Sequence, residues 1–333
     1  MKNDIVKLAL DAHRGAVAGN YSATDSMETL RKALVDANHG SAVITPRMVR
    51  EGTCNDLFAI METVIQKTSE EGLTGNEFFN ECVESKNTAL GDQNSFYVED
   101  DNMFVVSTIS EGNQSIRRQK YEGGQDFRVN TTLKAIKVYE EMNRVLAGRI
   151  DFNKFIDKVS EAFTNANLNE IYSEFVKGMA SIESPYSAGL TSSGSFDEDT
   201  LLSIIDHVEA ATGASARIIG ARSALRKVAT ATVSDEAKSD AYNMGYYGKF
   251  NGTPMIAMKQ RHAIGSTNFI LPQNDLYIVA TTDKFVKHIT EGETMIATTG
   301  FWDNQDLTQE YMMMQRTGNA VVMSSVAGIY RIA

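Results

Sequence analysis

Two stretches rich in β-branched and aromatic residues decide the fold, FYVEDDNMFVVSTIS (residues 96–110) and FRVNTTLKAIKVYEE (residues 127–141). Between them lies SEGNQSIRRQKYEGGQD (residues 110–126), which is polar and contains three glycines. This pattern predicts a long two-stranded ribbon with a polar connection. A two-stranded ribbon cannot bury both of its faces and is marginally stable alone in water. We therefore expect the ribbon to lie on another surface, and a neighbouring subunit is the natural candidate.

A long helix is predicted after the ribbon, in DFNKFIDKVSEAFTNANLNEIYSEFVKGMAS (residues 151–181). Asp151 is the predicted N-cap because its side chain can accept a hydrogen bond from the first turn. The apolar residues at the start of the stretch share one helical face. They are Phe152, Phe155, Ile156, Val159 and Phe163. The segment therefore predicts a single amphipathic helix.

Residues 1–91, which precede the ribbon, also carry apolar residues at helical spacing. Examples are Leu57, Ile60, Met61, Val64 and Ile65. Glycines and prolines interrupt this region at Gly40, Pro46, Gly52, Gly72 and Gly75. Such interruptions predict short helices joined by polar loops and favour an extended arm over a compact domain.

The remainder of the chain predicts a mixed α/β region. SPYSAGLTSSGS (residues 184–195) has the composition of a flexible connection, and we place a domain boundary there. Helix, strand and helix are then predicted at residues 197–213, 216–221 and 222–230. Short strands are predicted at residues 252–259, 275–283 and 284–291. The last stretch, residues 310–332, predicts two strands around a turn at Thr317–Asn319.

Composition excludes some classes of function. The chain has 333 residues, 32 basic and 43 acidic, for a net charge of −11. This acidity opposes binding to nucleic acid through phosphate contacts. We therefore expect weak binding to DNA, and a basic arm segment facing inward, for example around Lys2, Lys7, His13 and Arg14, could locally break this rule.

The cysteines and the N-terminal residues indicate the cellular compartment of the protein. Cys54 and Cys82 fall in apolar, helical segments, which favours reduced packing residues over a disulfide. Residues 1–15 lack the continuous apolar region of a signal peptide, and no window approaches a membrane span. We expect a protein that is made and kept in a cytoplasm, with no membrane partner.

Catalytic and ligand-binding motifs find no support. In MGYYGKFNG (residues 244–252), the first glycine of a phosphate loop would fall at Asn243, and Phe250 replaces the required hydroxyl residue. The histidines lack ligand spacing; they are His13, His39, His207, His262 and His288. The acidic runs Glu99–Asp101 and Asp197–Asp199 could offer paired carboxylates, but the second run lies where the first turn of a helix favours acids. We expect no catalytic residue, no cofactor and no metal.

The order of these parts resembles the major capsid proteins of tailed bacteriophages, which have the Hong Kong 97-type capsid fold. The resemblance covers roughly Asn94 to Ala333 and rests on order and spacing. Its matching stretches begin with TTLKAIKVYEEMNRVLAGRIDFNKFIDKVSEAF, HVEAATGASARIIGARSALRKV and YYGKFNGTPMIAMKQ. They end with LPQNDLYIVATTDKFV and YMMMQRTGNAVVMSSVAGIYRI.

The resemblance implies an α+β chain with a defined set of parts. These are an N-terminal arm and helices (residues 1–91), an extended loop (92–130), a peripheral domain with the long spine helix (131–190), an axial domain (191–300) and closing strands (301–333). It also implies hexamers and pentamers that tile an icosahedral shell around DNA held without sequence-specific binding. A portal and decoration proteins are further implied partners. No long charged helical segment precedes the arm, so we expect a separate scaffolding protein.

Arg117, Arg118 and Lys120 cluster near the tip of the predicted ribbon in an acidic chain. A contact with an acidic patch on the next subunit is the functional interpretation, and a solvated basic loop is the alternative. Two further functions remain open: an encapsulin-like compartment shell that holds enzyme cargo, and a cytoplasmic α/β enzyme.

Overall fold

Helices dominate the first part of the chain and strands the last. The computed structural model describes residues 2–14, 23–98, 104, 106–107, 118–120, 123–139, 144, 149, 152–182, 190–228, 242–263, 265–280, 283–298, 310–323 and 325–332. Its helices are α1 (Lys2–His13), α2 (Ala23–Ala37), α3 (Pro46–Glu51), α4 (Asn55–Thr74), α5 (Glu77–Cys82), α6 (Phe152–Ala180), α7 (Glu198–Thr212) and α8 (Arg222–Val228). Its strands are β1 (Val83–Thr88), β2 (Ser95–Val98), β3 (Gln125–Arg128), β4 (Thr132–Tyr139), β5 (Thr191–Gly194), β6 (Arg217–Ala221), β7 (Lys249–Phe250), β8 (Thr253–Met258), β9 (Asp275–Val279), β10 (Val286–Thr298), β11 (Glu310–Val321) and β12 (Ala327–Ile332).

The strands form two larger sheets and one ribbon. The first sheet has four strands in the order β1-β10-β11-β4, and the second has six in the order β5-β12-β9-β6-β8-β7. The ribbon is the antiparallel pair β2 and β3, which confirms the predicted pairing over four residues of each strand. The rest of the second predicted stretch differs from the prediction, because residues 132–139 form β4 and pair with β11 in the first sheet. Both larger sheets mix parallel and antiparallel neighbours, so the α+β prediction is confirmed.

Helix α6 is the long helix predicted after the ribbon, and it joins two hydrophobic cores. At about 1.5 Å per residue, its 29 residues span roughly 44 Å. Its first half buries Phe155, Ile156, Val159 and Phe163 against α1, α2, α4 and the first sheet, which confirms the predicted apolar face. Its second half buries Leu168, Ile171, Tyr172, Phe175 and Met179 against α5 and the second sheet. Asp151 and the side chain of Phe152 lie outside the described residues.

The second sheet is buried on both faces. Alternate residues of one strand point to opposite faces, so Ile218 of β6 joins the core beneath α7 and α8, and Ile219 joins the core beneath α6. Leu276 and Tyr277 of β9 divide in the same way. The predicted order of helix, strand and helix is confirmed as α7, β6 and α8. Asp197 is the N-cap of α7 and accepts a hydrogen bond from the Thr200 amide at 3.1 Å, so this acidic run is a helix start.

The N-terminal helices are packed, which corrects the expectation of an extended arm. Leu30 of α2 and Leu57 of α4 are each 1% exposed in the core that α6 completes. The apolar faces of these helices therefore pack against other elements of the same chain. The helical interpretation of residues 1–91 is also wrong at its end, because residues 83–88 form β1, which pairs in parallel with β10.

The turn predicted at Thr317–Asn319 is wrong. Strand β11 runs through these residues without a break, pairing Gly318 with Ile289 of β10. Strand β11 ends at Val321, and β12 begins at Ala327 in the other large sheet. Gly318 is present because the backbone of Asn130 crosses close by: a Cβ atom at residue 318 would lie 2.3 Å from the Asn130 carbonyl oxygen. The glycine reflects a close approach of two backbones, not a turn.

We expect Gly318→Ala to lower the stability of the subunit by about 1–3 kcal/mol, because the added methyl group overpacks a site walled by backbone. The matched control is Gly194→Ala in β5, where an added Cβ would meet nothing within 4 Å and the change should stay within about 0.5 kcal/mol. Urea denaturation of both variants measures the difference. Equal midpoints would show that Gly318 has no such role.

Candidate assembly surface

The ribbon β2–β3 is joined to the first sheet by its inner side. Phe96 is 3% exposed and packs on Val129 and Ile289. The ammonium groups of Lys86 and Lys287 lie 5.9 and 5.7 Å from the centroid of the Phe96 ring. Lys287 is itself buried and forms an ion pair with Glu84 of β1. These contacts fix the base of the ribbon on the sheet.

The outer side of the ribbon is exposed. Tyr97, whose side chain lies on the side opposite Phe96, leaves 57% of its surface in solvent. Phe127 pairs with Phe96 and shares its side, where it leaves 37% exposed. The Tyr97 hydroxyl accepts a hydrogen bond from the Gly124 amide at 3.0 Å. Arg118 and Lys120 of the predicted basic cluster are also exposed, whereas Arg117 lies outside the described residues. The described residues thus carry exposed aromatic side chains on the ribbon and exposed basic side chains in the connection between its strands.

Glu291 of β10 anchors both ends of the ribbon. Its carboxylate accepts hydrogen bonds from the Gly91 amide at 3.1 Å and from Asn94 Nδ2 at 3.0 Å, where the chain enters. It also accepts one from Thr131 Oγ1 at 2.5 Å, where the chain leaves. The bonds from Thr131 and Gly91 lower the pKa of Glu291 because they favour its ionised form. One carboxylate thus holds together segments that are 40 residues apart in sequence.

Sequence reasoning missed Glu291. Its partners lie 160 to 200 residues away, beyond the reach of local periodicity. The available signal was Gly292, a glycine inside a strand pattern, because such a glycine often marks a β-bulge. The structure has that irregularity between Glu291 and Met295, and Gly292 adopts φ 74°.

A groove of about 600 Å³ opens beside this bulge. Its apolar wall is formed by Leu90, Leu133, Met295 and Met314. The first three of these are 63%, 51% and 45% exposed. Met295 pairs with Met314, so both side chains lie on the sheet face opposite the helices. This outer face therefore carries an apolar groove that nothing in the described part of the chain fills.

The rim of the groove is acidic. Glu291 and Glu293 line it against a single basic residue, Arg316. Behind it lies Glu62, which accepts a hydrogen bond from the Ile296 amide at 2.7 Å. Burial raises the pKa of Glu62, and the charge of Glu293 raises it further. The groove therefore favours a partner that brings apolar surface and positive charge.

Two residues of the basic N-terminal segment lie beside acidic side chains of the same chain. Arg14 forms an ion pair with Glu71 at 2.5 Å, and His13 lies 2.5 Å from Asp157 of α6. Acids of α4 and α6 thus lie beside these two residues, and a contact of this segment with DNA stays a prediction.

The described residues contain no group of three or more His, Cys, Asp or Glu side chains that could hold a metal ion. Cys54 and Cys82 are buried free thiols, as predicted. Burial raises the pKa of Cys82 to about 12, so its reactive thiolate is scarce near neutral pH. Among the described helices, none has the length and apolar character to span a bilayer.

Comparison with known proteins gives a family. Residues 20–331 match the family model described as "SPbeta prophage-derived putative capsid protein YonB". A comparison with curated proteins finds no match.

Several solved structures are similar to this chain at low sequence identity. The mature capsid protein of bacteriophage PhiM1 is 9% identical, with a TM-score of 0.50 over 78% of this chain and 87% of that one. The structure from Gordonia phage Cozz is 14% identical, with a TM-score of 0.46 over 78% and 87% of the two chains. The SrpI encapsulin from Synechococcus elongatus is 10% identical, with a TM-score of 0.44 over 76% and 86%.

The match over almost the whole chain decides the class of protein, and the PhiM1 capsid agrees in fold. A capsid family makes the chain a structural component of the virion, as the resemblance implies. The chain belongs to the SPbeta prophage-derived YonB capsid protein family and is a phage capsid protein with the Hong Kong 97-type fold, not an enzyme.

Proposed function

We propose that this chain is the repeating subunit of an icosahedral shell in which hexamers and pentamers enclose double-stranded DNA. One observation carries the proposal: the subunit exposes an apolar, acidic groove on the outer face of its first sheet and an aromatic, basic ribbon beside it. The ribbon of one subunit is the partner that the groove of the next would bind.

The groove leaves apolar surface in water when the subunit is isolated, which is unfavourable in free energy. Leu90, Leu133 and Met295 are large apolar side chains that remain about half exposed or more, and they lie together. Contiguous apolar surface with a polar rim is typical of an interaction site. Burying it upon assembly removes that surface from water, at roughly 25 cal/mol per Å². This term favours the shell over free subunits.

The ribbon supplies the complementary features. Tyr97 and Phe127 offer apolar surface, while Arg118 and Lys120 offer the positive charge that Glu291 and Glu293 favour. Charge complementarity of this kind selects partner and register more than it adds affinity. It supports the predicted inter-subunit contact of Arg117, Arg118 and Lys120 over the alternative of a solvated loop.

Glu291 determines how the ribbon is presented. A ribbon held at both ends loses less conformational freedom on binding than one attached by a flexible connection. Because Glu291 also lines the groove, the anchor and the binding surface share one carboxylate. A partner that moves the Glu291 carboxylate in the groove would therefore also shift the hydrogen bonds that hold the base of the ribbon.

The proposed relation to DNA is containment. A net charge of −11 repels phosphates, so the shell would hold its genome mechanically and without sequence-specific contacts. Assembly in the host bacterial cytoplasm, a separate scaffolding protein, a portal and decoration proteins complete the proposal. DNA inside particles from producing cells supports it, whereas particles with enzyme cargo and no DNA would support the encapsulin-like alternative.

We expect the triple variant Arg117→Glu, Arg118→Glu and Lys120→Glu to remain folded but to fail to assemble, because exposed substitutions change stability by under about 0.5 kcal/mol. Sedimentation and negative-stain microscopy compare it with the wild type, which should form closed shells. The matched control reverses Lys32, Arg47 and Lys177, which sit in exposed helical ion pairs, and makes the same change in net charge. Shells of normal size and yield from the ribbon variant would contradict the proposed contact.

Replacing Glu291 by Gln should loosen the ribbon, because the neutral amide loses charge-assisted bonds to both of its ends. Limited proteolysis between residues 89 and 131 should be faster than in wild type, and Glu293→Gln, on the same rim, is the control. The lowered pKa of Glu291 means that its bonds persist at pH 5 and weaken only as the pH falls through that lowered value, below the ordinary glutamate pKa of about 4.3. Equal cleavage rates in both variants would show that Glu291 does not anchor the ribbon.

A further inference from the structure

The apolar wall of the groove contains two methionines that face each other across neighbouring strands. Met295 of β10 pairs with Met314 of β11, and both line the groove. Directly opposed side chains on one face of an antiparallel pair have Cβ atoms about 4.5–5.5 Å apart. Met313, the neighbour of Met314 in sequence, points to the other face and is 0% exposed. Met295 and Met314 therefore form a contiguous patch of thioethers, which we call the methionine pair.

Solvent reaches the methionine pair but not the methionines of the cores. Met295 is 45% exposed and Met314 is partly exposed, whereas Met61 and Met258 are 1% and 0% exposed. Among the methionines whose surroundings the structure describes, Met244 is the other exposed one, at 40%, and it does not line the groove. Because oxidation of a thioether follows its exposure, a water-soluble oxidant should modify the pair and Met244 first.

Oxidation would change the chemistry of the groove. A sulfoxide is a polar group, and its oxygen accepts hydrogen bonds from water until a partner covers it. The carboxylates of Glu291 and Glu293 at the rim only accept hydrogen bonds, and Arg316 is the single basic residue there. Covering a sulfoxide with apolar surface removes it from water without an equivalent replacement, which is unfavourable. The oxidised groove should therefore bind an apolar partner less tightly.

The position of the pair separates assembly from folding. Met295 and Met314 lie on the sheet face opposite the helices, while Met313 packs in the core that α6 completes. A change confined to the outer face leaves the apolar packing of both cores intact. The modified subunit should therefore keep its fold while it loses the contact.

We propose that the methionine pair is an oxidative modification site, at which a peroxide converts Met295 and Met314 to sulfoxides and thereby prevents the groove from accepting the ribbon of the next subunit. The inference rests on the function proposed above, because it assigns a chemical property to the same groove. It makes assembly sensitive to the oxidation state of the free subunit.

Each oxidation transfers one oxygen atom from hydrogen peroxide. A lone pair of the sulfur attacks one peroxide oxygen, and the S–O bond forms as the O–O bond breaks. The departing hydroxide takes the proton of the transferred oxygen and leaves as water. The sulfur is oxidised by two electrons and the peroxide is reduced by two. Methionine sulfoxide reductases reverse the change, with one enzyme for each epimer of the sulfoxide.

Peroxide treatment of dispersed subunits tests the site. After the peroxide is removed, the subunits are concentrated and the yield of shells is measured by sedimentation. Trypsin leaves the pair in one peptide, residues 288–316, in which tandem mass spectrometry locates each oxygen. We expect oxygen on Met295 and Met314 and not on Met313, an unchanged circular dichroism spectrum, and a shell yield lower by about tenfold or more. A tenfold effect corresponds to only about 1.4 kcal/mol.

Two variants separate the methionine pair from other methionines. Met244→Leu removes an exposed thioether outside the groove and should be as sensitive to peroxide as the wild type. In the double variant Met295→Leu and Met314→Leu, a swap that nearly conserves volume, the ratio of treated to untreated shell yield should rise towards one, whatever the untreated yield. Reductases of both specificities should restore assembly of the oxidised wild type, and this rescue decides the question if the double variant forms no shells.

Several results would overturn the proposal and leave the proposed function standing. These are an unchanged shell yield after full oxidation of the pair, oxidation of Met244 without Met295, equal sensitivity of the double variant, and loss of the circular dichroism spectrum with loss of assembly. Failure of the reductases to restore assembly would do the same. Untreated wild-type subunits that form no shells would contradict the proposed function itself, and the inference with it.

Discussion

The packing of one helix against two sheets is the constraint on which the rest of the structure depends. Helix α6 buries its first half against the N-terminal helices and the first sheet, and its second half against the second sheet. Because a helix of roughly 44 Å is rigid on this scale, the two cores are held at a fixed separation. The ribbon extends from the first sheet, so its direction is set by the same helix. A subunit built in this way can repeat its contacts accurately across a shell.

The assembly surface departs from the rules that govern the cores. Within the cores, apolar side chains are almost fully buried, whereas Leu90, Leu133 and Met295 are left in solvent on the outer face of the first sheet. The same face carries the irregularity of β10, which brings Glu291 to the base of the ribbon. The bulge thus lies beside the groove and places the anchor. The exposed apolar residues and the proposed inter-subunit contact therefore lie on the same face.

Sequence reasoning predicts the elements with strong local signals. The ribbon, the spine helix and the order α7, β6, α8 each depend on periodicity or composition within one segment, and each is confirmed. Strand β1 was missed because its short polar stretch becomes a strand only by pairing with β10, about 200 residues later. Gly318 led to a wrong prediction of a turn, because a glycine next to polar residues is typical of a turn. In the structure it lies within a strand, where its missing side chain leaves room for the backbone of Asn130. The groove was invisible for the same reason, since Leu90, Leu133 and Met295 meet only in the folded chain. The predicted domain limits and the contacts of the basic cluster stay predictions.

The central claim is that the basic ribbon of one subunit occupies the acidic groove of the next. A cryo-electron microscopy reconstruction of assembled particles tests it most directly. The account predicts a closed icosahedral shell in which density for residues 118–128 of one subunit lies over Leu90, Leu133 and Met295 of its neighbour, with Glu293 facing a basic side chain. A shell in which that groove faces solvent, or a protein that stays as dispersed subunits at every concentration tested, would contradict it.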